Sequence, residues 1–239
     1  MKIKNFKALL LLSNLLIFLS STVLALPINW HGPYLGIQAG KAWNRTNWNF
    51  NNANYFNTAG PVLLGNNFNL SSNEYQGGVD LGFNYQMDYW IVGLEGELMG
   101  INLNSSITSP FFATDVYTSK LNWYATLKAR VGYIYDCWLG YVSAGWGGAD
   151  TSLNLLDTVA GVEAHSNQWA PGWTVGVGID YRLTNNLTLG AAYEYLRFNV
   201  RNKNIGCPTC GTGIGGGTPN VDGVFKTNSV VARLNYLFF

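Results

Sequence analysis

From residue 32 onward, apolar and polar residues alternate with a period of two, the mark of extended strands whose two faces meet different surroundings. Over residues 74–86, Tyr75, Gly77, Val79, Leu81, Phe83 and Tyr85 share one face, and Glu74, Gln76, Gly78, Asp80, Gly82, Asn84 and Gln86 share the other. Residues 90–99 set Trp90, Val92, Leu94, Gly96 and Leu98 against Ile91, Gly93, Glu95, Glu97 and Met99. Residues 120–135 set Leu121, Trp123, Ala125, Leu127, Ala129, Val131 and Tyr133 against Asn122, Tyr124, Thr126, Lys128, Arg130 and Gly132. The same pattern runs over 32–43, 138–146, 172–183, 187–198 and 227–239, which predicts eight strands.

The connections alternate in length. Residues 87–89, 136–137 and 184–186 are tight turns, whereas 44–73, 102–119, 149–168 and 200–226 are long, polar and rich in Asn, Ser, Thr and Gly, and read as loops. Short turns on one side and long loops on the other are the habit of an up-and-down transmembrane β-barrel, with periplasmic turns and extracellular loops. The expected fold is therefore all-β, an eight-stranded antiparallel transmembrane β-barrel in meander order, with both termini in the periplasm.

Charge placement distinguishes this barrel from a soluble one. Glu74, Asp80, Glu95, Glu97, Lys120, Lys128, Arg130, Asp180, Arg182, Glu194 and Arg233 all fall opposite the apolar face. A soluble sandwich would put its polar face outward. Here the apolar face is continuous and the ionisable face is too narrow a lining to be anything but a lumen, because Arg or Lys in mid-bilayer costs about 2–4 kcal/mol. Lys41 and Arg197 share the apolar parity but lie at strand ends, where long side chains snorkel. Trp43, Trp123, Trp146, Trp173 and Tyr195 mark an outer aromatic girdle; Tyr85, Trp90, Tyr133, Trp138, Tyr181, Tyr236 and Phe238 mark a periplasmic one.

Composition agrees. Of 239 residues, 48% are hydrophobic and only 11% charged, a surface too poor in charge to face water alone. Lys2, Lys4 and Lys7, the apolar stretch of residues 8–19 and Val23-Leu24-Ala25 read as a cleaved signal peptide over residues 1–25, leaving a barrel domain over 26–239. Without the three leader lysines, 11 basic residues face 13 acidic ones, which leaves no footprint for nucleic acid. No later segment reaches the roughly 18–20 apolar residues of a membrane helix.

Several short runs strengthen the case. Trp30-His31-Gly32-Pro33-Tyr34-Leu35-Gly36, Val92-Gly93-Leu94-Glu95-Gly96-Glu97, Ala129-Arg130-Val131-Gly132-Tyr133, Tyr193-Glu194-Tyr195 and the ending Ala232-Arg233-Leu234-Asn235-Tyr236-Leu237-Phe238-Phe239 span the mature chain. Together they resemble the small outer-membrane barrel family of Gram-negative bacteria that includes opacity-type proteins and porin-like surface antigens. The resemblance implies a place in the cell outer membrane among its lipids and lipopolysaccharide. It also implies recognition of the last strand by the barrel-assembly machinery, through Tyr236, Phe238 and Phe239; the apolar parity puts the signature aromatic at Phe238, with Phe239 as an added residue.

Candidate chemistry is sparse. Glu74, Asp80, Glu95, Glu97, Lys128, Arg130, Asp180, Arg182, Glu194 and Arg233 form a predicted lumen charge network, either a satisfied plug or the lining of a narrow channel. Cys207-Pro208-Thr209-Cys210 has redox-motif spacing but lies in a Gly-rich stretch, and export favours a local disulfide there; Cys137 is left as a free thiol. Glu163, His165 and Ser166 could be read as an acid, base and nucleophile, but the adjacent His165 and Ser166 would point to opposite faces of a strand. Residues 211–216 match Gly-x-Gly-x-x-Gly without the helix that would present amides to a phosphate. No cofactor or metal is expected. The predicted function is a non-enzymatic surface barrel that supports the envelope and contacts host or matrix ligands, with a small channel as the alternative and a lipid-modifying enzyme as a remote one.

Overall fold

In the computed structural model, which describes residues 29–57, 64, 66–211 and 216–239, the alternating segments form eight antiparallel strands. They are β1 (Gly32–Asn52), β2 (Asn67–Met87), β3 (Trp90–Thr108), β4 (Asp115–Tyr135), β5 (Trp138–Asp157), β6 (Val162–Arg182), β7 (Leu187–Asn204) and β8 (Asn220–Leu237). Each pairs with its neighbour in sequence, and β8 returns to β1 through pairs such as Ile37↔Leu234, so the sheet closes into a barrel. Fold class and meander order are thus as the periodicity predicts. The predicted leader, residues 1–25, lies outside the described residues.

The half of the barrel nearest the short turns is inside-out. Leu35 and Ile37 on β1, Leu81 on β2, Leu94 on β3, Leu127 on β4, Val142 on β5 and Val177 on β6 are exposed on its outer surface. Aromatic pairs rim this band. Trp90–Tyr133, Trp138–Tyr181 and Tyr236–Phe238 lie at 5.2, 4.6 and 4.9 Å between ring centres on the periplasmic side, and Trp123–Trp169 and Trp173–Tyr195 at 5.1 and 5.5 Å on the other. From Trp173 to Tyr181, a rise of ~3.4 Å per residue and a tilt of ~40° give roughly 20 Å, near the apolar height of an outer membrane. The turns after β2 and β4 place Asp88 and Asp136 at φ 51° and 53°, a left-handed conformation that Asp tolerates better than most residues.

A membrane strand needs only about 9–11 residues, yet these run to between 18 and 21. The stretches predicted as long loops are, for the most part, continuations of the strands. The connections that remain are 53–66, 109–114, 158–161 and 205–219, the first including a 3-10 turn at Asn54–Asn57. Polar composition suggested loops because the sense of the alternation inverts above the outer girdle. On β1 the outward positions change from Leu35 and Ile37 to Arg45, Asn47 and Asn49, while the inward ones change from Tyr34 and Gln38 to Trp48 and Phe50. The backbone parity of β1 is constant; only the solvent outside has changed from lipid to water.

Above the girdle the barrel also divides. Pairing of β2 with β3 stops at Gln76↔Ile101, and pairing of β6 with β7 stops at Gly172↔Phe198. The other ladders continue almost to the tips, to Asn49↔Asn67 and Asn204↔Asn220 on one side and Thr108↔Val116 and Asp157↔Val162 on the other. The result is an extracellular head of two four-stranded sheets, β7-β8-β1-β2 and β3-β4-β5-β6, enclosing an apolar core that includes Trp48, Phe50, Phe68, Leu103, Tyr117, Leu153, Phe198 and Phe225. Tyr117 reaches from β4 into the opposite sheet, where its ring lies 6.3, 5.7 and 5.3 Å from those of Trp48, Phe50 and Phe68. Few bonds span the open seams. Ser105 Oγ donates to the Ser71 carbonyl at 3.1 Å across one, and the His165 amide donates to the Gly206 carbonyl at 2.8 Å beside the other.

One residue explains a side chain that breaks the parity rule. Leu121 pairs with Thr151 and Trp123 with Asp150, so Asn122 is a one-residue bulge in β4 and its amide donates to Asp150 at 2.9 Å. The bulge turns Lys120 outward, against its predicted place in the lumen, and turns Leu121, Ser119 and Tyr117 inward. Replacing Tyr117 by alanine should remove about 3–5 kcal/mol of local stability. Amide exchange of β1 and β4 above the girdle should rise strongly while heat-modifiable migration, which reports the membrane half, is retained.

Candidate functional site

Within the membrane half, the inward face of the strands gathers a compact layer of charge. Glu95 lies at its centre: its carboxylate accepts from Tyr34 Oη at 2.7 Å and from Arg233 Nη2 at 2.5 Å, and pairs with Lys128 Nζ at 3.0 Å and Arg130 Nη1 at 3.2 Å. Lys128 also donates to Glu97 at 2.7 Å and to Glu194. Arg130 donates from Nε and Nη2 to Asn84 at 2.9 and 2.7 Å, lies 3.9 Å from Asp180 and stacks over the Tyr34 ring at 4.4 Å. Arg233 adds Asp80 at 2.9 Å and the Tyr141 hydroxyl. All eight charged residues are buried.

Apolar or uncharged residues cover this layer at both ends. Toward the periplasm lie Trp30, Tyr34, Ile91, Ile134, Leu139, Tyr141 and Leu237; toward the outside lie Met99 and Tyr124, and beyond them the head core. The lining fits because two inward glycines make room for rings. A Cβ on Gly82 would overlap the Tyr34 hydroxyl, and one on Gly178 would overlap the Tyr141 ring. Five carboxylates share three cations, and Asp80 Oδ1, Asp180 Oδ1 and Glu194 Oε2 find no hydrogen-bond partner.

Two residues predicted for this network lie elsewhere. Glu74 has the inward parity, but it sits where β2 has left β3 and is exposed. Arg182 is the last residue of β6, beyond the charge layer. It donates to the carbonyls of Asn29, Thr184 and Asn185 and lies over the rings of Trp30 and Phe239 at 5.4 and 5.2 Å, tying the segment before β1 and the last residue to the β6–β7 turn. Phe239 is thus engaged by Arg182, whereas Tyr236 and Phe238 pack together on the outer surface. Sequence reasoning missed the neutral partners Tyr34, Asn84 and Tyr141, which share the inward parity but carry no charge to flag them.

The remaining candidates are spread out. Cys207 and Cys210 are joined, Cα to Cα 5.4 Å, and packed into the head core; Cys137 is unpaired. His165 is exposed and Ser166 buried on the opposite face, while Glu163 accepts from Asn154 at 2.7 Å, so the three do not converge. His31 packs edge-on against Phe83 and Tyr85 at 5.4 and 5.5 Å.

At the outermost tip Asp115 faces Asp157 across β4 and β5. Asp157 accepts from the Val159 and Ala160 amides at 3.0 Å each and from Tyr55 at 3.2 Å, and these amides hold its carboxyl below the usual range. Burial, joined by the Asp157 charge, pushes Asp115 up to about 6.

A closed meander with lipid on its outside and paired charge within is the architecture of an outer-membrane β-barrel. The chain belongs to the outer membrane protein beta-barrel domain family, whose model matches residues 12–238. The 31 kDa outer-membrane immunogenic protein of Brucella melitensis is 28% identical over 179 residues, covering 73% of each chain. The 25 kDa outer-membrane immunogenic protein of Brucella canis is 25% identical over 177 residues, 74% of this chain and 70% of that one. Among solved structures, outer membrane protein OprG of Pseudomonas aeruginosa is 14% identical, with a TM-score of 0.46 over 85% of this chain and 96% of that one. The protein is therefore an outer-membrane protein related to surface antigens.

Glu95 is the carboxylate that all three cations share, and each keeps a second acid without it, so Glu95→Gln should lower stability by about 1–3 kcal/mol. Urea unfolding in detergent micelles, followed by tryptophan fluorescence, measures it, and an additional Lys128→Met should add less than its own single effect. At the tip the sign is opposite to that of a salt-bridged acid. A folded-state pKa raised above the unfolded one stabilises at low pH, and that stabilisation is lost as pH rises through about 6. Exchange of the Asp115 amide, corrected for intrinsic rate, should therefore speed up between about pH 4 and 6 and level off above, and Asp115→Asn should abolish the change.

Proposed function

We infer that this protein is a sealed, non-enzymatic surface barrel that stiffens the outer membrane and carries a rigid head for attachment to host or matrix ligands. The observation that carries the reading is the lumen: a buried, ion-paired charge layer covered by apolar side chains on its periplasmic side and by the head core outside. Ions crossing it would have to break several buried ion pairs and pass an apolar seal. What the barrel presents to the exterior is strand-built surface on two packed sheets, which favours a display role over a mobile lid. The reading includes export by a cleaved leader, assembly through the C-terminal strand and its aromatic residues, and lipopolysaccharide as the surrounding lipid.

The charged lumen also supports a second reading, a small gated channel, and planar bilayers separate the two. The refolded protein should give no reproducible conductance steps; steps whose ion selectivity changes with Arg130→Ala would replace the sealed barrel with a channel. In cells, deletion should increase detergent sensitivity or reduce attachment. A deletion strain unchanged in both would remove the envelope and attachment roles, and lipid A acylation altered by His165→Ala would restore an enzymatic one.

A further inference from the structure

The outer face of the β7-β8-β1-β2 sheet carries a feature that neither the lumen nor the head core uses. Arg45 on β1 stands opposite Lys226 on β8, and Lys226 stands opposite Arg197 on β7. The row ends in Ser71 on β2 and Trp173 on β6. Three cations thus lie side by side, one per strand, on outward positions. Like charges directly opposite each other on a sheet repel, and no ion pair among the described residues offsets them. The acids nearest in register are Asp222, four residues farther out on β8 and accepting from the Asn202 amide at 2.5 Å, and Glu74 on β2, opposite Ala42. Neither pairs with the row.

Its height on the barrel is informative. Two residues nearer the membrane, Trp43, Asn228 and Tyr195 span the same three strands as part of the outer girdle. Two residues lower again, Lys41 lies 5.6 and 6.0 Å from the Tyr75 and Trp43 rings. The cations therefore stand just outside the acyl region, where lipid headgroups lie. A surface concavity of about 460 Å³ opens there, lined by Trp43, Arg45, Asn73, Tyr195, Lys226 and Asn228 among others. On the opposite sheet Trp123 and Trp169 stand at the girdle, with Asp150 bonded to Asn122, and just above them Lys120 is a single outward cation opposite Ser152. The basic row is one-sided.

We propose that this concavity binds the headgroup of a phosphorylated glycolipid of the outer leaflet. Phosphate sits on Arg45 and Lys226, which line the concavity, with Arg197 opposite Lys226 in the same row, and the guanidinium groups supply forked donors. Amides of Asn73 and Asn228 meet sugar hydroxyls, and acyl chains descend past Trp43 and Tyr195. The inference rests on the extracellular orientation of the head but not on whether the lumen conducts, so a conducting barrel would leave it standing.

The test uses the refolded mature chain in phosphatidylcholine nanodiscs containing equal mole fractions of bisphosphorylated lipid A, its dephosphorylated form, or phosphatidylglycerol, with lipid retention read by native mass spectrometry. Bisphosphorylated lipid A should be retained about ten-fold or more over the other two, because its two phosphates offer bidentate acceptors to the guanidinium groups. The combined Arg45→Gln, Arg197→Gln and Lys226→Gln variant should lose that preference, and Lys120→Gln on the other sheet should keep it. Unchanged retention by the triple variant, equal retention of phosphatidylglycerol, or displacement by inorganic phosphate alone would overturn the proposal. Heat-modifiable migration verifies that the variant is folded, and Lys226→Gln alone serves if the triple variant is not.

Discussion

In hydrocarbon a backbone amide or carbonyl has no water to turn to, and each one left unpaired costs several kcal/mol. That constraint requires β8 to meet β1 in the membrane half, and it forbids any open edge there. It also explains where the ring opens. The β2–β3 and β6–β7 ladders part only above the outer girdle, where water can satisfy what the strands release. Closure is obligatory below and optional above, so one set of strands builds a barrel and then a two-sheet head.

Ring closure in turn creates the charge layer. A barrel of about eight strands has an interior only wide enough for side chains, and its outward positions must be apolar in the membrane. Charge pointing inward must then be neutralised there, at a desolvation cost that good geometry only partly offsets. Glu95 and its partners meet that demand through multiple contacts to each cation and through neutral donors such as Tyr34. The clear departure is the imbalance of five carboxylates over three cations, whose consequence is visible in the unpaired oxygens of Asp80, Asp180 and Glu194.

The membrane half was legible in the sequence because lipid makes every second residue apolar, and that signal located all eight strands and most of the lumen. The head was not, although the same period continues through it. Asn47, Asn49 and Asn51 around Trp48 and Phe50 carry the composition of a loop, and only a change of phase between lipid and water reveals a strand. Lys120 was misplaced because a bulge at Asn122 leaves no trace in the alternation. Glu74 was misplaced because parity predicts a direction but not whether a neighbouring strand is present to cover it. Arg182 was misplaced because parity does not say where a lumen ends. The resemblance carried family and location further than any single motif could.

The inverted alternation of the head separates two kinds of selection. Whatever meets the head from outside meets the solvent-side set, including Asn47, Asn49, Asn102 and Asn104, while folding is governed by the hidden set that includes Trp48, Phe50, Leu103 and Tyr117. Because these sets interleave along the same strands without sharing positions, the outward surface can be rewritten residue by residue while the scaffold beneath is kept. An outer-membrane protein built this way changes its outward appearance by substitution, with no need to lengthen or reshape its connections.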